Sequence, residues 1–397
     1  MSERTERLEL DAPHLLAFEA VVRRAESTDE GAVLVLDRSA FYPEGGGQLA
    51  DQGVLYAGDA EVRVLDVQRH GDSVLHHTDA ALAPGTRVRG HIDRPRRLEH
   101  MALHTGQHLL SRAFLDIARA TTRSARLGSH AATLDLERKR IPDRLLRSIE
   151  ERVNEVVDDD RPIHVRTVAQ EAAPGLGLRR SPKVDGPVRI VEVEGFDRTP
   201  CGGTHCTRTA QVGPVKILEV HAHRGGLRVT FAAGRRARRV LFEESDALRG
   251  LAARFSCAPE DVPGGVAKLE GKLRESRESL RVAREGWAAA LATRLAQTPE
   301  DPLVRLLEDL DREALRALAS GLTREGGRVV ALAAPEGDDL AVVLARGPGA
   351  SLDCGAVLRA LTKELGGGGG GRPERAEGRL PRNGSFEAQL RRALAER

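Results

Sequence analysis

The 397 residues, 40% of them hydrophobic, suffice for two or three domains with cores of their own. Four cysteines in that length exclude a disulfide framework; the charged N-terminus MSERTERLELDAPH excludes a signal peptide, and no run approaches the roughly 18 apolar residues of a membrane span, so a cytoplasmic protein is expected. The net charge of +2 conceals that nearly all 61 basic residues are arginine, which a GC-rich genome explains in the main but which also suits phosphate contact wherever arginines cluster.

Up to about residue 92, the short apolar runs Ala32–Leu36, Val62–Val67, Ser73–His76 and Thr86–Ile92 alternate with turn signals, the spacing of a small β-barrel or sandwich. Between the first two lies Phe41-Tyr42-Pro43-Glu44-Gly45-Gly46-Gly47-Gln48, followed by Asp51 and Gly53. Successive glycines lose backbone entropy on folding. They form either a flexible hairpin loop or a loop whose backbone approaches a ligand closely.

From Pro95 to about Ala120 the apolar period becomes helical, with Leu98, Met101, Leu109 and Phe114 as core positions. His104 and His108 fall in its middle, on one face. Much later in the chain, Cys201 and His205 flank Gly202 and Gly203, a pair that lets a tight loop turn both side chains inward. Imidazoles from one segment with a thiolate and an imidazole from another make a zinc set. Cys206 should point away from His205 and stand outside it. A zinc-peptidase helix needs its base beside the first histidine, where Thr105 stands, and no P-loop, dinucleotide fingerprint or Gly-x-Ser-x-Gly elbow occurs. What remains is a zinc-assisted hydrolase or a structural zinc site.

Gly128–Leu136 reads as a turn and strand, Asp143–Asp158 as an amphipathic helix, and Pro162–Val168 and Val188–Val193 as strands, an α+β pattern. The Gly-, Pro- and Arg-rich loop Glu171–Asp185 either faces substrate or is a surface connection. Strands at Val215–His221 and Leu227–Phe231 lead into Gly234-Arg235-Arg236-Ala237-Arg238-Arg239, which is either a solvated helix face or an RNA-backbone contact. Val266, Leu269, Leu273, Leu280, Trp287 and Leu291 keep near-heptad spacing, as in a helical hairpin or coiled-coil arm. Beyond about 300, helical stretches alternate with strands at Arg328–Ala333 and Leu340–Leu344, a smaller α/β domain. Its glycine run Gly366–Gly371 and Arg372 form a linker or a loop fitted to a phosphate backbone.

Four blocks carry a resemblance: FYPEGGGQLADQG (41–53), HTGQHLL (104–110), LGSHAATLDLE (127–137) and PCGGTH (200–205). Together they resemble the editing domain of alanyl-tRNA synthetases and, more closely, its free-standing relatives, the AlaX-type trans-editing proteins. The tail GGGGGGRPERAEG (366–378) resembles the glycine-rich motif of the C-terminal domain of those synthetases. With the barrel first in the chain, the long form of the stand-alone editor is the expectation.

The resemblance implies an α+β fold with a β-barrel at 1–92, a zinc-dependent editing domain at 93–240, a helical coiled-coil linker at 241–299 and a glycine-rich tRNA-binding or oligomerisation domain at 300–397. It implies hydrolysis of the ester on mischarged tRNA(Ala), chiefly Ser-tRNA(Ala) and also Gly-tRNA(Ala). A pocket built for alanine cannot strongly reject serine, so a second site must check the product. One Zn2+ per chain would be held by His104, His108, Cys201 and His205. Gln48 and Thr133 match the positions expected to sense the serine hydroxyl. Gly45, Gly46, Gly47, Gly202, Gly203, Arg235, Arg236, Gly368, Gly369 and Arg372 are the expected substrate contacts. No residue stands out as a general base; Asp197 and Glu44 are the fallback candidates. A homodimer through the C-terminal domain stays open, as does the alternative of a tRNA-binding protein with a structural zinc.

Overall fold

The computed structural model describes residues 4–29, 31–182, 186–382 and 386–395, and contacts divide it into a unit that runs to Gly250 and one that starts at Leu251. In the first, strands close into a barrel in the order Ala17–Thr28, Gly31–Leu36, Ser73–Thr78, Ala60–His70, Gly53–Ala57, Arg87–Ile92. Alternation sets the faces: Val62 and Val64 point in, and a bulge between Val64 and Asp66 shifts the register so that Val67 is buried in place of Asp66. Leu34, Leu36, Phe41 and Leu55 fill the interior.

The barrel core also holds one imidazole. His76 is fully buried; its Nδ1 lies 3.2 Å from the Leu34 carbonyl, which only accepts, so Nδ1 carries the hydrogen, and the Ser39 hydroxyl lies 2.8 Å from Nε2. Burial holds its pKa down to about 4.

Asp93 caps the next element by accepting from the Arg96 amide at 3.0 Å, with Pro95 in the first turn, and the helix Arg94–Ala118 follows. Every residue from His100 to Ser111 is buried, because the helix packs against the helix Asp143–Asp158, the segment Thr209–Val212 and a sheet. That sheet runs Val215–His223, Gly226–Ala233, Ala132–Leu136, Thr122–Leu127. Leu98 differs from expectation: it sits on the solvent side, 39% exposed. A second, three-stranded sheet pairs Val188–Val193 with Ile163–Val168 on one side and Asp197–Pro200 on the other. Of the loop 171–185, Gln170–Leu176 forms a short 3-10 turn, and residues 183–185 lie outside the described residues.

Arg97 ties helix to barrel. Its guanidinium is fully buried and pairs with Asp51, with Nε 3.1 and 3.0 Å from the two carboxylate oxygens, and it donates to the carbonyls of Pro13 and Ala40 at 2.6 Å each. The arginine-rich stretch after Ala233 opens the helix Gly234–Phe255.

In the second unit a five-stranded sheet runs Leu303–Leu306, Val329–Glu336, Asp339–Arg346, Arg375–Pro381, Gly368–Arg372. One face packs on the last turns of the helix Val262–Ala296 and on the helix Arg312–Leu322; the other packs on Cys354–Leu365 and Phe386–Ala395. From Gly368 on, the glycine run is thus neither linker nor loop but an edge strand. It lies so close to Leu358 that a side chain at Gly369 would press on it at 3.0 Å. The heptad residues Leu269, Leu273, Leu280 and Trp287 are 43–57% exposed, so the long helix is present but no described residue covers that face as a coiled-coil partner would. No described helix is long and apolar enough to cross a membrane.

Buried His76 makes a pH prediction. Below its ordinary value of 6.5 the unfolded chain takes up a proton that the folded barrel refuses down to about 4, so stability is full above pH 6.5 and falls as the pH drops toward 4. The loss is on the order of 3 kcal/mol. Urea midpoints across that range should fall less steeply for His76→Leu than for wild type; parallel slopes would refute the assignment.

Candidate metal centre

Two local geometries converge. The helix turn puts His104 and His108 on one face, and the strand Asp197–Pro200 delivers Cys201 at its end, from where the Gly-Gly turn brings His205 back. One donor atom from each of these residues lies within 4.8 Å of all the others. Cys201 Sγ is 3.3 Å from Nε2 of both His104 and His205. Gly203 is required where it stands, because any side chain there would collide with the His104 ring.

The outward nitrogens show how the rings are aimed. His104 Nδ1 lies 2.8 Å from Gln48 Oε1, an oxygen that also accepts from the Thr204 amide at 3.2 Å. Nδ1 therefore carries the hydrogen and Nε2 turns its lone pair inward. The same carboxamide donates to Thr204 Oγ1 at 2.9 Å. His205 Nδ1 lies 3.2 Å from Thr105 Oγ1, which accepts from the Cys206 amide. His108 Nδ1 is buried and makes no hydrogen bond among the described residues; Asp197 Oδ2 is 3.8 Å away.

Burial and mutual repulsion shift two of the imidazoles and the thiol. Burial, then repulsion by the neighbouring imidazoles, holds His205 down to about 4 and His108 well below its ordinary value. Burial opposes ionisation of Cys201, but the charges of His104, His205 and His108 outweigh it and put the thiol well below its ordinary range. A metal binds a thiolate and neutral imidazoles, so it would take the place of the protons that these groups hold against one another.

The site opens into a cavity of about 750 Å3. Gly45, Gly46, Gly202 and Gly203 line it beside His104 and Cys201. Gly47 does not: at φ +87° it presses on the Ala125 carbonyl, where a side chain would collide, and so docks the barrel loop on the sheet. Gln48 is fully buried, its amide engaged with His104 and Thr204. Thr133 is half-buried on the sheet face opposite Ala132 and Leu134, outside the cavity lining. Glu44 lines the cavity; Asp197 is buried behind His108. Arg236 pairs with Glu99 at 2.6 Å and donates to the Gly128 carbonyl at 3.0 Å, whereas Arg235 is exposed. Gly368, Gly369 and Arg372 lie exposed in the other unit.

Sequence reasoning missed the wall. Arg7, Arg69, Arg123, Arg179, Arg180 and Arg189 line the cavity, and Glu44 is the one acid in its lining. Arg189 donates to the carbonyls of Cys201 at 2.7 Å and Gly203 at 3.0 Å, so it shapes the metal loop while keeping its charge unpaired by any carboxylate among the described residues. Gln107, inside HTGQH, also lines the cavity; its Nε2 donates to Ser111 Oγ at 2.7 Å, and its Oε1 accepts no hydrogen bond among the described residues. The composition of the loop 171–185 was the available signal, since Arg179, Arg180 and Ser181 come from it.

This arrangement sits in a chain with known relatives. Residues 5–96 match the class II (A) tRNA synthetases, residues 188–229 the threonyl and alanyl tRNA synthetase second additional domain, and residues 301–396 the DHHA1 domain. These stretches make the chain a homologue of class II tRNA-synthetase domains. The alanine–tRNA ligase of Pyrococcus abyssi is 32% identical over 95% of this chain and 42% of its own length; that of Korarchaeum cryptofilum is 33% identical over 96% and 44%, and that of Methanoregula boonei 34% over 95% and 42%. The chain thus spans less than half the length of these ligases. A crystal structure of the C-Ala domain from Aquifex aeolicus alanyl-tRNA synthetase is 30% identical, covering 24% of this chain and 86% of that one, at a TM-score of 0.22, too low to speak for the fold.

Cys201 and Cys206 separate the cluster from its surroundings. Cys206 lies outside the cluster, buried, its thiol pushed up to about 11 by that burial. Cys201→Ala is expected to abolish stoichiometric metal and Cys206→Ala to retain it, as read by elemental analysis; equal loss from both would place the ligands wrongly.

Proposed function

We propose that the chain is a zinc-dependent hydrolase that deacylates mischarged tRNA(Ala), chiefly the seryl and also the glycyl form, with zinc held by His104, His108, Cys201 and His205. The observation that carries the reading is the soft donor cluster on the floor of an arginine-walled cavity. A thiolate with imidazoles selects zinc over hard cations. An arginine wall favours a substrate whose tail is a phosphodiester. Homology to alanine–tRNA ligases supports aminoacyl-tRNA as that substrate. In this reading the barrel and the segment 93–240 form the reaction centre, and the part beyond 241 serves tRNA binding or self-association.

Bound zinc supplies Lewis-acid polarisation and a fixed positive charge. The chain supplies the rest. Its arginines orient the nucleotide end, and the glycines at 45, 46, 202 and 203 let the ester come close to backbone. Gln107 Oε1 offers an acceptor that a serine hydroxyl satisfies and an alanine methyl leaves unpaired. Such an unmet polar group is worth about 1–3 kcal/mol of discrimination. One observation favours the alternative of a tRNA-binding protein with a structural metal: all four donors converge, a closed set.

Purified chain given seryl-, glycyl- and alanyl-tRNA(Ala) should release serine fastest and spare the alanyl ester, with activity lost on chelation. Tight tRNA binding without release of any amino acid would establish the alternative. Gln107→Leu is expected to lower kcat/KM on the seryl ester about 10- to 100-fold while changing glycyl release little. A matched loss on both esters would remove Gln107 from serine recognition.

A further inference from the structure

We infer that Asp197 is a positioning residue for His108, selecting the tautomer and orientation in which His108 presents Nε2 to the metal. The inference rests on the metal reading proposed above and not on the tRNA reading.

Each imidazole of the cluster has a second nitrogen that faces away from it, and a ligand ring is aimed by what that nitrogen bonds. For His104 the partner is Gln48 at 2.8 Å, and for His205 it is Thr105 at 3.2 Å. His108 Nδ1 is buried with its hydrogen-bonding capacity unmet. A buried ring nitrogen without a partner is rare in native proteins and calls for an explanation. The group facing it is the Asp197 carboxylate, whose Oδ2 lies 3.8 Å off, against about 2.9 Å for a charge-assisted hydrogen bond. Closing that gap takes a small turn of the imidazole, or one ordered water between the two.

Asp197 is built for the task. It is buried, and Arg179 grips both its oxygens, Nε at 2.8 Å and Nη2 at 3.2 Å, which fixes the carboxylate plane. The strand Asp197–Pro200 has Asp197 and Thr199 on one buried face, and the two-residue alternation puts Cys201 next on that face. The element that delivers the thiolate thus also delivers the carboxylate behind the opposing imidazole. Thr199 Oγ1, between them, is likewise buried without a partner, so this face holds polar capacity that the folded chain itself does not use. Because Asp197 touches a ligand and not the cavity, its role is positional, and it need not exchange protons with substrate.

The test is a double-mutant cycle read as zinc affinity by chelator competition, on the full chain, for wild type, His108→Ala, Asp197→Ala and the double variant. If Asp197 acts through His108, Asp197→Ala weakens zinc about 10- to 100-fold in the wild-type background and has no further effect where His108 is already alanine. Should the lone guanidinium of Arg179 prevent Asp197→Ala from folding, Arg179→Gln/Asp197→Ala removes both charges, and the same loss is expected. Equal losses in the two backgrounds, or a folded Asp197→Ala chain with unchanged affinity, overturn the inference alone. A wild-type chain that takes up no zinc overturns the metal reading and this inference with it.

Discussion

One carboxamide holds the site together. Gln48 leaves the barrel loop, reaches His104 on the helix and Thr204 in the loop of the thiolate, and engages both partners with directed hydrogen bonds from a fully buried position. The candidate ligands lie on two segments about a hundred residues apart, and nothing local brings them together. A buried amide that satisfies three polar groups at once defines one arrangement, since any slip of the loop leaves several of them unmet. Arg97 and Asp51 repeat the device two turns earlier in the helix, as a buried ion pair whose guanidinium also satisfies barrel carbonyls. The barrel is therefore a wall of the site rather than an appendage to it.

The arginines differ in what they meet. On the surface many guanidiniums meet a nearby carboxylate, as Arg281 does with Glu278 and Glu285, and such exposed pairs add little stability. In the cavity Arg7, Arg123 and Arg179 also face carboxylates, but the other three have only carbonyl partners among the described residues: Arg69 bonds Gly71, Arg180 bonds Pro200, and Arg189 bonds Cys201 and Gly203. A carbonyl satisfies the donors without cancelling the charge. Field lines from such groups are focused in a concave wall, which raises the local concentration of an anionic ligand.

Much of the fold was legible wherever a buried face imposed a period. The helix Asp143–Asp158 and the strand Val188–Val193 follow directly from their apolar spacing. The strands Ala17–Thr28 and Thr122–Leu127 did not announce themselves, because arginine, glutamate and serine at their outward positions leave the apolar residues in runs of three at most. The cluster of four donors was legible because metal ligation restricts residue type and spacing so tightly. Its supporting shell was not. Gln48 stood out by its place in a block that resembles the editing domain, and only three-dimensional proximity reveals that it bonds His104 and Thr204. Nor could sequence alone tell that Arg236 is turned inward onto Glu99 while its neighbour Arg235 faces solvent.

The closure of the donor set constrains any hydrolytic role. Four protein donors leave a tetrahedral metal no free position. Either the surrounding groups activate the ester, with the metal as a fixed charge, or one donor yields its place. The outward nitrogens are not equal in this respect. His104 and His205 are anchored from behind by Gln48 and Thr105. His108 has behind it a carboxylate just beyond hydrogen-bonding reach, itself clamped by an arginine in the cavity wall. Among the three imidazoles it is the one whose hold from behind depends on closing a gap. Whatever fixes the distance between His108 and Asp197 then decides whether the centre behaves as a closed structural site or an adjustable one, and Arg179 links that distance to the wall an anionic substrate would touch.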